Sequence, residues 1–212
     1  MPEMVTITVD DETIETEEGT SVLKAALDAG ICIPNLCYIP EAKPTGACRI
    51  CIVEIEKNGR KKMTTSCTLE AKEGMVIHAH SEDVLRARRN IVELLLAEAP
   101  ESEVLQTLAE RLEVYEVRYP ERDNECILCG RCVVACAEIA KTGAKGAIGR
   151  GINRHIGLPF YKEEYCQKCY ECRDRCPMEI LPQSRRDPCG VCGSELSTND
   201  EIPEICEDCE LD

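Results

Sequence analysis

Four cysteines fall within twelve positions in ECILCGRCVVAC, residues 125–136. Cys126, Cys129 and Cys132 are three apart, and Cys136 follows after three intervening residues. Three thiolates at such spacing in a tight loop can occupy three corners of an iron–sulfur cube. The fourth is expected at the start of a helix, pointing away. In the pattern C-x2-C-x2-C-x3-C-P the fourth cysteine serves the other cluster of a two-cluster protein. A second quartet, CQKCYECRDRCP at 166–177, fits that pattern including Pro177, whereas the first has Ala137 in place of the proline. The quartets therefore predict an exchange. One 4Fe-4S cluster takes Cys126, Cys129, Cys132 and Cys176, and the other takes Cys166, Cys169, Cys172 and Cys136. Two zinc sites are the alternative.

Cys37, Cys48, Cys51 and Cys67 form another quartet, with gaps of 10, 2 and 15 residues. This is a relative of the C-x4-C-x2-C…C spacing with a longer first loop, and it predicts a 2Fe-2S cluster. GACRIC sets small residues beside the ligands, so backbone N–H groups can approach cluster sulfurs and raise the reduction potential. Cys32, five residues before Cys37, is expected to be a free, packed thiol. Near the end, Cys189 and Cys192 pair with Cys206 and Cys209 as two C-x2-C turns separated by 13 residues. Two such turns complete a tetrahedral four-sulfur site, with zinc favoured and a further iron–sulfur cluster or mononuclear iron as alternatives.

Nothing else in the chain carries comparable chemistry. His78, His80 and His155 are scattered, and each is expected on a strand or surface. The glycines of GAKGAIGRGINRHIGLPF do not form G-x-G-x-x-G opening a helix, so no dinucleotide site is predicted. No P-loop and no catalytic Ser or Cys arrangement is found, and no substrate site is expected on this chain.

The elements that must position these cysteines follow from local patterns. MVTITV (4–9) and TIET (13–16) alternate as strands around a DDE turn. Thr20 or Ser21 can cap a helix through Ala29, with Gly30 to stop it. CIVEIE (51–56) and KKMTT (61–65) flank Asn58-Gly59, a hairpin signal, and MVIHAH (75–80) is a further strand. Ser81 starts a helix with an apolar face of Val84, Leu85, Ile91, Val92, Leu95 and Leu96, ending at Pro100; a second helix follows over 101–113. The fold class is α+β. Its expected parts are a 2Fe-2S domain over 1–80, a helical connector over 81–117, a two-cluster domain over 118–186 and a four-cysteine, metal-binding tail of zinc-ribbon type over 187–212.

Composition agrees with metal-organised interiors. The 212 residues include 17 cysteines, no Trp, one Phe and six Tyr, so aromatic packing contributes little. The N-terminus lacks a secretory signal and no apolar run is long enough to span a bilayer. A cytoplasmic protein with reduced, metal-bound thiols is expected. The formal charge of −15 argues against nucleic acid as a partner.

PNLCYIPEAKPTGACRICIVEIE, TTSC, EGMVI, the ARRNIVELLL helix, CILCGRCVVAC, GAIGRG and the second quartet together resemble a known family. It is the iron–sulfur region shared by the large 2Fe-2S subunit of respiratory complex I, the diaphorase subunit of NAD-reducing hydrogenases and the iron-only hydrogenases. The resemblance covers roughly residues 4–182 and implies a β-grasp ferredoxin domain followed by a two-cluster ferredoxin domain. Such relatives carry a further cluster, bound by one His and three Cys, after the long helix. AEAPESEVLQTLAERLEVYEV holds neither residue type there, so that cluster is expected to be absent. The catalytic part of an iron-only hydrogenase would lie beyond residue 212, and its active site is not expected here either.

The resemblance implies an electron-relay subunit of a multisubunit oxidoreductase, with an NAD(P)-linked hydrogenase first and bifurcation an open question. Its partners would be a flavin/NAD-binding subunit and a hydrogenase-type catalytic subunit. An NAD-linked formate dehydrogenase subunit, a free ferredoxin-like carrier and a non-redox metal-dependent scaffold are the alternatives.

Overall fold

The computed structural model describes residues 3–57, 59–122, 124–159, 166 and 169–180. Strands β1 (Met4–Val9) and β2 (Glu12–Glu17) pair as an antiparallel hairpin, with Met4 opposite Glu17 and Val9 opposite Glu12. Strands β3 (Ile52–Lys57) and β4 (Arg60–Thr65) form a second hairpin, with Ile52 opposite Thr65. Strand β5 (Met75–His78) lies between the hairpins, parallel to β1 and antiparallel to β3, giving the order β2-β1-β5-β3-β4. Alternation decides which face is buried: Val5, Ile7 and Val9 point inward while Thr6 and Thr8 are partly exposed.

Helix α1 (Val22–Asp28) covers that face with Val22, Leu23, Ala25 and Ala26. Ser21 caps it, its hydroxyl accepting the Lys24 N–H, and Gly30 at φ 81° turns the chain away. The chain then runs through buried Ile33 and Leu36 to Cys37.

Helices α2 (Glu82–Glu98) and α3 (Glu103–Arg111) are each capped by a serine, Ser81 and Ser102, whose hydroxyls accept the N–H of Val84 and Leu105. They do more than join two parts of the chain. Val92 and Leu96 of α2 and Leu105 and Leu108 of α3 pack with Leu36, Cys37, Cys48, Ile50, Cys129 and Met178 in one apolar core. The segment following α2, which carries no Cys or His, supplies that core with Leu105, Leu108 and Ala109.

Beyond the connector, α4 (Arg131–Val134) runs directly into a π-turn over Ala135–Ile139. A short hairpin follows, β6 (Gly146–Ile148) with β7 (His155–Gly157), then α5 (Glu171–Asp174). Gly149 is required in that hairpin: at φ +76°, a Cβ there would lie 2.5 Å from the Asn153 carbonyl oxygen. Among the described residues no helix is long and apolar enough to cross a membrane.

Candidate iron–sulfur sites

The first nest is built beside the large sheet. Cys37 comes from the loop after α1, Cys48 and Cys51 from the turn that enters β3, and Cys67 from a 3-10 turn over Ser66–Thr68 that ends β4. All four are buried, at 6%, 6%, 1% and 1% exposure respectively. The turn is locked from both sides. Ser66 donates its N–H and its hydroxyl to the Cys51 carbonyl, at 3.0 and 2.8 Å. Gly46, at φ +63°, passes so close to Thr68 that a Cβ would stand 3.3 Å from its Cγ2, and Arg49 between the two cysteines takes φ 65°. Strained backbone of this kind persists only where the surroundings hold it, as at ligand clamps.

The four sulfurs are close enough to share protons. Contact with Cys48 and Cys67 draws the Cys37 thiol well below the ordinary thiol range, and those two are pushed well above it, chiefly by the same contacts. Cys51 is also lowered, first by its contact with Cys67. Thiol protons held among buried sulfurs are what metal binding displaces. Among the described residues no group of three or more His, Cys, Asp or Glu side chains is arranged to hold a single metal ion. The fit to a polynuclear cluster therefore rests on donor chemistry: four buried soft sulfurs, the set that iron–sulfur clusters take.

Cys126, Cys129, Cys132 and Cys176 line one cavity of about 160 Å³, together with Ile127, Lys145, His155 and Met178. Cys176 comes from the second quartet, so the structure brings together the four residues that the exchange pairs. Burial pushes Cys129 up to about 12 and Cys132 to about 11, and raises Cys126 as well. Backbone N–H groups already point at the sulfurs: Leu128 donates to Cys126 Sγ at 3.4 Å, and Arg131 and Val133 donate to Cys129 and Cys132. His155 is exposed on the rim, with its Nδ1 3.2 Å from the Asn153 carbonyl oxygen.

Cys136 faces elsewhere. Its sulfur accepts the Lys145 N–H at 3.3 Å and lies 3.0 Å from Thr142 Oγ1. The fourth cysteines do not start helices. Cys136 sits in the π-turn after α4 and Cys176 follows α5, because both short helices begin around the third cysteine. A π-turn widens the helix by one residue, a feature common at functional sites. Helix α5, which carries Cys172, packs on that π-turn. The internal repeat is also visible in the backbone: Gly130 and Tyr170, each one residue after a second cysteine, are both left-handed N-caps, at φ 79° and 63°.

Cys189, Cys192, Cys206 and Cys209 lie outside the described residues. Cys32 differs from expectation: it is not without a bonding partner. It is only half-buried, on the stretch leaving α1, and so is not a packed core thiol.

Two residues that sequence reasoning passed over stand out. The buried side-chain nitrogens lacking a hydrogen-bond partner among the described residues are Nε of Arg88 and Nε of Arg131. Burial lowers the Arg131 pKa, and the sulfurs whose charge opposes that shift are Cys129 and Cys176, then Cys37. Arg131 thus feels the sulfurs of the cavity first and that of Cys37 in the first nest less. Arginines with an unpaired, buried Nε near sulfur nests fit the negative charge that thiolate-bound clusters carry. Arg88 had a signal: it stands four residues after Val84 and four before Val92, on the apolar stripe of α2. Arg131 had none.

The fold and these sulfur nests define an iron–sulfur protein, and residues 2–82 match the 2Fe-2S iron-sulfur cluster binding domain. The chain is 33% identical to the NADP-reducing hydrogenase subunit HndD of Solidesulfovibrio fructosivorans, over 84% of this chain and 36% of that one. It is 30% identical to the mitochondrial NADH-ubiquinone oxidoreductase 78 kDa subunit of Candida albicans, over 84% and 28%. Among solved structures, an NAD+-reducing NiFe-hydrogenase in the H2-reduced state matches with a TM-score of 0.64 at 34% identity, over 73% of this chain and 75% of that one. The chain belongs to the iron–sulfur family that includes these subunits of NAD(P)-reducing hydrogenases and of NADH-ubiquinone oxidoreductase. It spans 36% and 28% of the length of the two curated relatives.

Proposed function

We propose that this chain is an electron-relay subunit of an NAD(P)-linked hydrogenase, passing single electrons between a flavin/NAD-binding subunit and a catalytic subunit. Cys37, Cys48, Cys51 and Cys67 would hold a 2Fe-2S cluster in a β-grasp domain over 1–80. Cys126, Cys129, Cys132 and Cys176 would hold one 4Fe-4S cluster, and Cys136, Cys166, Cys169 and Cys172 the other, in a two-cluster domain over 118–186. Cys189, Cys192, Cys206 and Cys209 would hold zinc as a structural or docking element. When bound, the clusters supply reversible one-electron reduction.

The observation that carries this reading is the shared core. Cys37 and Cys48 of the first nest pack in the same apolar cluster as Cys129, with Cys176 at its edge. Those side chains exclude water from the path between two sulfur nests and hold the nests in fixed relation. Backbone N–H groups and buried arginines then offset the negative charge of the thiolates. The hydrogenase reading, in preference to formate dehydrogenase, draws on the names of two relatives. The proposal includes a cytoplasmic location and leaves bifurcation open.

Anaerobic purification of the native complex tests it, with metals and flavin counted. The expected yield is about 10 Fe per chain, as 2 + 4 + 4, with about one Zn. Iron without zinc would reassign the tail. A partner containing molybdenum would favour formate dehydrogenase. A stable monomer with full iron at low concentration would favour a free carrier, and dithionite-treated protein without paramagnetic cluster signals would leave only the scaffold.

A further inference from the structure

Arg88 is 1% exposed and heads the fully buried side chains in size. It lies in α2 and reaches to the base of the first nest. Its Nη2 donates to the Ile52 carbonyl at 3.0 Å, one residue after Cys51, and its Nε is enclosed with no partner among the described residues. Burial lowers its pKa to about 10, so it is charged at neutral pH. The negative groups that attract it are Cys51 and then Asp10. The Asp10 carboxylate is already committed, to the Ala79 N–H and the His80 ring at 2.8 Å each.

Anchoring α2 to β3 does not by itself require a guanidinium. An apolar side chain of similar volume fills such a place at equal or lower free energy, because a buried cation gives up its hydration. A buried cation is retained where an anion answers it. The sulfur nest provides one once loaded. Two ferric ions, two sulfides and four thiolates sum to a charge of about −2, and one added electron makes it about −3.

We propose that Arg88 is a positioning residue that serves as the fixed counter-cation of the 2Fe-2S centre, raising that centre's reduction potential. The inference rests on the ligand reading of Cys37, Cys48, Cys51 and Cys67. The reaction concerned is the uptake of one electron from an external low-potential donor; no bond breaks and no proton is required. The added negative charge would fall within the nest that Cys51 helps to line, and an immobile positive charge beside that nest would stabilise the reduced form more than the oxidised one.

The test is a dithionite titration of the full chain followed by the EPR signal of the reduced 2Fe-2S centre, in wild type, Arg88→Met, Arg88→Gln and Arg88→Lys. The Met and Gln proteins are expected to lose at least about tenfold in the equilibrium constant for reduction, which is about 59 mV for one electron. The Lys protein is expected to keep most of the wild-type value. If Met disrupts folding, the Gln and Lys pair still decides, since both retain a donor and only one retains the charge. Equal potentials in Gln and Lys overturn the proposal. So does loss of the signal from both, which would make the role purely structural. A wild-type protein without any 2Fe-2S signal is a different failure and sinks the ligand reading itself.

Discussion

Thr142 Oγ1 lies 3.0 Å from Cys136 Sγ and 3.3 Å from the Cys136 carbonyl oxygen. A residue just past the π-turn thus reaches back to the sulfur inside it. With Cys136 as a thiolate ligand, the hydroxyl is the donor. Hydrogen bonds to cluster sulfurs raise reduction potential. Thr142→Val removes this one and keeps the shape. The cluster that includes Cys136 should become harder to reduce by several-fold, on the order of 1 kcal/mol. Redox titration of the two 4Fe-4S signals checks this; a shift in the other cluster would misplace Cys136.

The exchange of fourth ligands predicts which variants resemble each other. Cys176→Ala should lose the same EPR component as Cys129→Ala, because both line the one cavity. If each quartet served its own cluster, Cys176→Ala would match Cys169→Ala instead. The surviving spectrum in each variant, with iron counted, separates the two arrangements.

Leu105 is fully buried in the core that joins α2 and α3 to Cys37, Cys48 and Cys129. Leu105→Ala should destabilise the chain by about 2–5 kcal/mol. Both the 2Fe-2S signal and that of the Cys129 cluster should be lost at a lower temperature than in wild type. Thermal melts followed at both signals check it, and loss of only one would divide the core.

Arg118 lies across Glu93. Its backbone N–H and its guanidinium meet both carboxylate oxygens at 2.5–3.0 Å, and Nη2 also donates to Asn90 Oδ1 at 2.8 Å. Glu93 is only 4% exposed, covered largely by a guanidinium that is itself mostly in solvent. The Arg118 side chain holds the Glu93 carboxyl below the usual carboxylate range, against a smaller opposing effect of burial. A depressed carboxyl adds stability above its unfolded pKa, about 4.3, and that stability fades as pH falls through the folded value. Glu93→Gln should therefore melt below wild type at pH 7, and the gap should close on acidification below about pH 4. A gap that does not change with pH would refer the loss to packing.

The elements and the cysteine pairings were legible to different degrees. Ser21, Ser81 and the Asn58-Gly59 pair are local signals, and the hairpins and helices they mark follow from a few adjacent residues. The parallel pairing of β1 with β5, Ile7 opposite Met75, joins residues far apart in sequence and leaves no periodic trace. The β6/β7 hairpin was hidden because its strands are three residues each. Cys129 and Cys176 were legible as a pair only through the spacing rule. That α2 and α3 form a wall common to two sulfur nests was not legible, since an apolar stripe states that something is buried and not what. The burial of Arg88 could have been read from its place between Val84 and Val92. A charged residue on such a stripe is usually assigned to solvent, and that habit conceals it.

The common core of Cys37, Cys48, Leu105 and Cys129 has an engineering consequence. The front and rear halves of the chain are not interchangeable cassettes. A chimera spliced between residues 81 and 117 would join two surfaces shaped for different mates, so a working graft must carry both helices together with the cysteines on each side of them.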